Sequence, residues 1–142
     1  MDNNKTSNKN STIFLQWNCR SLLPKIDTFR QLIHKLNCDV FALSETWLKP
    51  NSPLSFQDYN IIRQDRPSDS SKKSGGGVLI GIRKCHSFYR VQLPDVGPIE
   101  AVACQVRIRG MDICIVSVYI PSEVSVTRYH LCSLSSVYRL RG

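Results

Sequence analysis

Along this chain the hydrophobic period changes from segment to segment, from a spacing of two to helical spacing to unbroken apolar runs. In residues 12–18, TIFLQWN, the alternation puts Ile13, Leu15 and Trp17 on one face and Phe14, Gln16 and Asn18 on the other, which predicts a strand ending at Asn18. Pro24 suits a first helical turn, and Ile26, Phe29, Leu32, Ile33 and Leu36 then recur on one side of a helix that closes near Asn37. Val40, Phe41, Ala42 and Leu43 form a short unbroken apolar run, the pattern of a strand covered on both faces, and this run meets an acid at Glu45. YNIIRQD, GVLIGIRK, HSFYRVQL, IEAVACQVRIR and DICIVSVYI predict further strands, the later ones joined by the hairpin-type turns PDVGP and RGMD. Leu131, Leu134 and Tyr138 are spaced for a closing helix. Strand, helix and strand followed by more strands imply a layered α/β or α+β domain.

Composition narrows the class. The chain has 142 residues and 42% hydrophobic content, enough for one domain with a core of its own. The opening MDNNKTSNKNS is polar throughout and is expected to be a flexible tail over residues 1–11, with one domain over 12–142. It lacks the apolar centre of a secretory signal, and no stretch is long and apolar enough to cross a bilayer, so no membrane partner is expected. The six cysteines contain no CxxC pair and are expected to be reduced thiols of an intracellular protein, with neither disulfides nor a structural metal.

A net charge of +8 suits a polyanionic partner, since Lys and Arg that displace phosphate counterions provide affinity without sequence preference. It equally suits a solvated basic surface. Gly75, Gly76 and Gly77 follow Lys72 and Lys73 without the GK[ST] of a phosphate loop, and are read as a turn feeding the next strand. Glu45 taken alone is a carboxylate where a strand meets water, as most carboxylates are.

Four motifs taken in order change the weight of that glutamate. LQWNCRSL, CDVFALSETWL, GGGVLIGIRK and DICIVSVYIPS resemble, in sequence and context, the endonuclease/exonuclease/phosphatase superfamily, and most closely the apurinic-type endonuclease domain of jockey-like non-LTR retrotransposons. The resemblance covers residues 12 to about 122. It implies a four-layer α/β sandwich in which two sheets pack face to face with helices outside. It also implies phosphodiester hydrolysis with Mg²⁺ (or Mn²⁺), DNA as the partner, no small-molecule cofactor and a nuclear location. Carried over residue by residue, it assigns Glu45 of SETW as the metal ligand, Asn18 of QWN as the asparagine that helps hold the metal, and Tyr119 of VYIP as the tyrosine that hydrogen-bonds the scissile phosphate. Arg66 lies where related retrotransposon domains often carry an arginine that grips DNA phosphate, with Lys72 and Lys73 beside it. A solvated loop arginine is an equal alternative.

The chain also departs from the pattern. Complete domains continue into a GDFN-like motif and an SDH-like motif, and neither occurs in these 142 residues, where no Asp follows Tyr119. His130 lacks a preceding acid and is not carried over as the catalytic histidine, while His34 and His86 match no motif. The expectation is therefore the N-terminal part of such an endonuclease, inactive as it stands. The alternative is a catalytically dead remnant acting at most as a basic nucleic-acid-binding fragment.

Overall fold

The computed structural model describes residues 11–67, 75–122 and 125–136; Tyr138 and all but the last residue of the expected tail lie outside them. Strand β1 (Phe14–Asn18) leads through a 3₁₀ turn at Leu23–Lys25, with Pro24 in its first positions, into α1 (Ile26–Lys35). Strands β2 (Val40–Ser44), β3 (Tyr59–Gln64) and β4 (Val78–Arg83) follow. After them come β5 (Ser87–Val91), β6 (Glu100–Ile108), β7 (Met111–Tyr119) and α2 (Arg128–Ser136). One sheet has the order β1-β2-β4-β3 and the other β5-β6-β7. The helical crossover makes β1 and β2 parallel, whereas the remaining pairings are antiparallel.

The apolar run of β2 explains why two layers can pack against one sheet. Phe41 and Leu43 face α1, where they join Phe29, Ile33, Phe56, Tyr59 and Leu79 in one core. Val40 faces the other way, into a second core with Ile80 and Ile82 of β4 and Val102, Cys104 and Val106 of β6. A strand buried on both faces needs apolar residues at every position, as its sequence predicted. Phe41 is the hub of the helix-side core, with ring centroids 5.1 Å from Phe29, 5.3 Å from Phe56 and 5.0 Å from Tyr59. Its ring lies across β4 at its partner Gly81, where a Cβ would stand 2.1 Å from the Phe41 ring. Glycine is the residue that fits.

The second core holds the two sheets face to face, and Ser117 of β7 adds a hydrogen bond by donating its hydroxyl to the Leu43 carbonyl (3.0 Å). Helix α1, the mixed sheet and the antiparallel sheet are successive layers of the α/β sandwich that the resemblance implied. Helix α2 meets the 92–99 loop through His130, which sits against Gly97. β1 is an edge strand, and its alternation is visible as exposed Phe14, Gln16 and Asn18 against half-buried Leu15 and Trp17. Among the described residues, no helix is long and apolar enough to cross a membrane.

Candidate functional site

Parallel pairing of β1 and β2 sets Asn18 opposite Ser44, and antiparallel pairing brings Val78 and Gln64 to the same end of the sheet. The pairing does not stop with the strands. Ser21 N–H donates to the Glu45 carbonyl (2.9 Å) and Leu22 N–H to that of Thr46 (3.0 Å) on one side. On the other, Thr46 N–H donates to Gly77 O (3.3 Å) and Trp47 N–H to Gly76 O (2.9 Å). Clamped between two neighbours, Glu45 is held at φ +51° and Trp47 at +55°, with Arg20 (+43°) and Ser21 (+78°) beside them. Left-handed backbone at residues with a Cβ costs about 1–2 kcal/mol each, and such strain concentrates at functional sites. Beneath this turn, Cys19 is buried and donates its thiol to the Ser44 carbonyl (3.3 Å). Burial pushes its pKa up to about 11, so it stays a neutral thiol.

This backbone brings together the three side chains that the motifs singled out. The Asn18 amide Nδ2 donates to Glu45 Oε1 at 3.2 Å. Tyr119, at the end of β7, lines the same cleft as Glu45 and Arg66, near enough for both charges to act on its hydroxyl. Its pKa is raised, first by burial and then by the charge of Glu45, so the phenol remains a donor at neutral pH. Arg66 is not a freely solvated loop residue, because it forms a 2.6 Å ion pair with Glu100 in which both side chains are largely covered. Lys72 and Lys73 lie outside the described residues.

Glu100 carried no signal in the sequence. It opens β6, and its second oxygen accepts from Gly77 N–H (2.9 Å), so one carboxylate holds Arg66 and the glycine segment together. That segment, expected as a turn, instead continues the pairing with residues 46 and 47 as a strap. All three glycines have positive φ, and at Gly76 a Cβ would fall 2.5 Å from both Arg66 Nη2 and Glu100 Oε1. Trp47 of SETW carries no signal of a role in the sequence, yet it lines the same cleft of about 780 Å³ as Glu45, Arg66, Glu100 and Tyr119. The histidines stand apart: His86 pairs with Asp39 at the other end of the sheet, His34 is exposed on α1, and His130 accepts from Thr127 N–H through Nδ1 (3.2 Å).

The donor set suits a hard divalent cation. Glu45 offers carboxylate oxygens and Asn18 an amide oxygen within one hydrogen bond of each other, and no cluster of three or more His, Cys, Asp or Glu that could hold a metal occurs among the described residues. Mg²⁺ keeps much of its water and needs only one or two carboxylates from a protein, so these residues fit Mg²⁺ or Mn²⁺ and do not fit a structural zinc.

Solved structures with this fold share little sequence with the chain. The endonuclease domain of TRAS1, a telomere-specific non-LTR retrotransposon, superposes with a TM-score of 0.64 at 16% identity over 93% of this chain and 54% of its own. An AP endonuclease from Archaeoglobus fulgidus gives 0.55 at 15% identity, covering 92% and 49%. A 3′ phosphatase, NExo, from Neisseria, bound to a product DNA hairpin, gives 0.53 at 18%, covering 88% and 49%. The chain thus spans about half the length of the structures it matches. No match is found among curated proteins. The sequence pattern of the Endonuclease/Exonuclease/phosphatase family matches residues 15–137, which include Asn18, Glu45, Arg66, Glu100 and Tyr119, and the chain belongs to that family.

Proposed function

We propose that the chain is the N-terminal part of a divalent-metal-dependent DNA endonuclease of the non-LTR retroelement kind, acting on phosphodiesters. The observation that carries this reading is the 3.2 Å contact between Asn18 and Glu45, with Tyr119 lining the same cleft as that carboxylate. Glu45 and Asn18 would hold Mg²⁺ or Mn²⁺, which when bound neutralises phosphate charge and makes water more acidic. Tyr119, kept protonated, donates to a phosphate oxygen, and the Arg66 guanidinium, oriented by Glu100, adds positive charge beside it. The net charge of +8 draws in the DNA backbone. By the same reading the protein acts in the nucleus.

The 142 residues hold no GDFN-like or SDH-like motif to position water or protonate the leaving oxygen. A missing acid–base group alone typically costs ~10²- to 10⁴-fold in rate. We therefore propose that this chain binds DNA without cutting it. The test is nicking of supercoiled plasmid in Mg²⁺. The chain alone should shift DNA in a strongly salt-dependent way and leave it supercoiled, whereas a version extended through in-frame GDFN and SDH motifs should nick it and lose that activity on Glu45→Ala. Nicking by the 142-residue chain itself, abolished by EDTA and by Glu45→Ala, refutes the claim that it is catalytically incomplete. Nicking by the extended protein that survives Glu45→Ala refutes the site.

A further inference from the structure

Two tryptophans occupy opposite situations. Trp17 is half-buried, stacked on Phe29 with ring centroids 5.6 Å apart and covered by the Lys25 ammonium. Trp47 leaves 46% of its surface in water, while its neighbours Thr46 and Leu48 are buried at 1% and 4%. It does so from left-handed backbone, which a bulky residue rarely adopts, and its main chain is pinned there by the Gly76 carbonyl. The indole Nε1 lies close to Gly75, where a Cβ would stand 3.6 Å away. Exposure and strain fall on the same large aromatic, and neither improves packing.

The surroundings indicate what the ring faces. Trp47 lines one cleft with Glu45, Tyr119 and Arg66, its Nε1 and Arg66 Nη1 both falling close to Gly75, and Leu93, Val96 and Pro98 contribute apolar wall to the same cleft. The groups that would hold phosphate, beside an exposed flat ring, match the two halves of a nucleotide. We propose that Trp47 is a stacking platform for a nucleobase flanking the phosphodiester held by Asn18, Glu45 and Tyr119. The favoured ligand is then nucleic acid with a nucleotide unstacked beside the scissile bond, as in a single strand or a distorted duplex, over continuous duplex. The chemistry behind this preference is simple: intact B-form duplex presents base edges in its grooves and keeps the faces stacked on one another, so an aromatic platform gains contact only with a base already freed. The proposal rests on the phosphodiester reading of the site and adds to it the state of the substrate.

Binding can be separated from cutting. In a Trp17→Phe background Trp47 is the single indole, and its fluorescence can be followed in EDTA against a short oligothymidine, an oligomer of the same length with abasic residues, and the matching duplex. The expected result is quenching by oligothymidine and, in gel-shift titrations with end-labelled oligomers, a loss of affinity on Trp47→Ala of roughly fivefold to a hundredfold, the range of one base–aromatic stack. Trp47→Phe should restore most of that loss, and the abasic oligomer should bind parent and Trp47→Ala alike. Oligothymidine binding that is unchanged in Trp47→Ala, or a loss equally large with the abasic oligomer, overturns the platform. So does a duplex that binds as tightly as oligothymidine and depends on Trp47 to the same degree. Failure of the extended protein to nick DNA while Trp47 still reports oligothymidine would overturn the nuclease reading and leave the platform standing.

Discussion

The two ends of the mixed sheet are made by the same strands and are built on opposite principles. At the end where β2 begins, polar groups are consumed by the fold. Asp39 is buried, accepting from Ile13 N–H (2.8 Å) through one oxygen and pairing with His86 Nε2 (2.8 Å) through the other. Arg83 donates to the Cys38 carbonyl (3.1 Å) and to the Asn37 amide oxygen, and Tyr59 donates its hydroxyl to the same carbonyl (2.6 Å). At the end where β2 stops, Asn18 is exposed, Glu45 is partly exposed, and four residues other than glycine are held at positive φ. The first end has one such residue, Asn37, a type that tolerates the conformation well. One end spends its polar groups on stability. The other keeps them presented to the cleft at the cost of strain, which is the difference expected between a structural junction and a site.

Substitutions can break that comparison, and the largest effect is expected at the end where β2 begins. Asp39→Ala removes the acceptor of Ile13 N–H and leaves His86 without its partner, so it should destabilise the domain by about 3 kcal/mol, read as a shift in urea midpoint. DNA affinity per folded molecule should be unchanged. A loss below about 1 kcal/mol would show that this junction is not structural.

Gly76→Ala comes next. The new methyl would meet Arg66 and Glu100 in a backbone conformation unfavourable to alanine, and a destabilisation of about 2 kcal/mol is expected, together with weaker DNA binding as Arg66 is displaced. Equilibrium unfolding and a gel-shift titration read the two effects together, and the strap is passive if binding is untouched.

Glu45→Gly should act with the opposite sign. Glycine relieves the left-handed strain, so stability should rise by about 1 kcal/mol while Mg²⁺ binding, followed by calorimetry, disappears. A variant both less stable and still able to bind Mg²⁺ would remove the contrast between the two ends.

The smallest effect is in alkali. The Cys19 pKa is raised in the folded state from 9.0 to about 11 by burial, so the neutral thiol contributes stability that is complete below pH 9 and is lost as pH rises toward 11. Stability should fall by less than about 1 kcal/mol from this thiol at pH 9.5, and Cys19→Ala should flatten the curve. Cys104, raised by burial to about 12 in the core between the sheets, titrates over an overlapping range and should keep its own alkaline slope in that variant.

Most of the scaffold was legible because its signals are local. The alternation of β1, the helical spacing of Ile26, Phe29 and Ile33, and the unbroken apolar run of β2 each state which faces are covered, and the structure places them so, although Leu32 and Leu36 of the same helical pattern are exposed. The motifs named Asn18, Glu45 and Tyr119, and strand pairing brings these residues to one place although 101 positions separate the first from the last. Glu100 was not legible, since an acid opening a strand looks the same whether it faces water or an arginine from a loop 34 residues earlier. Nor was the strap: three glycines in a row read as a turn, and what makes them necessary is the Arg66–Glu100 pair behind them and Thr46 in front.

By itself, the sequence determined that this chain makes a layered α/β domain whose β2 is buried on both faces, because periodicity encodes burial without reference to distant residues. Its ordered motifs determined the family. Only the tertiary structure decided that Arg66 is tied to Glu100, that the glycines brace the turn carrying Glu45, and that one tryptophan is packed while the other is left facing the cleft. Those outcomes depend on which strand ends become neighbours, and that is settled by the pairing of strands far apart in the chain.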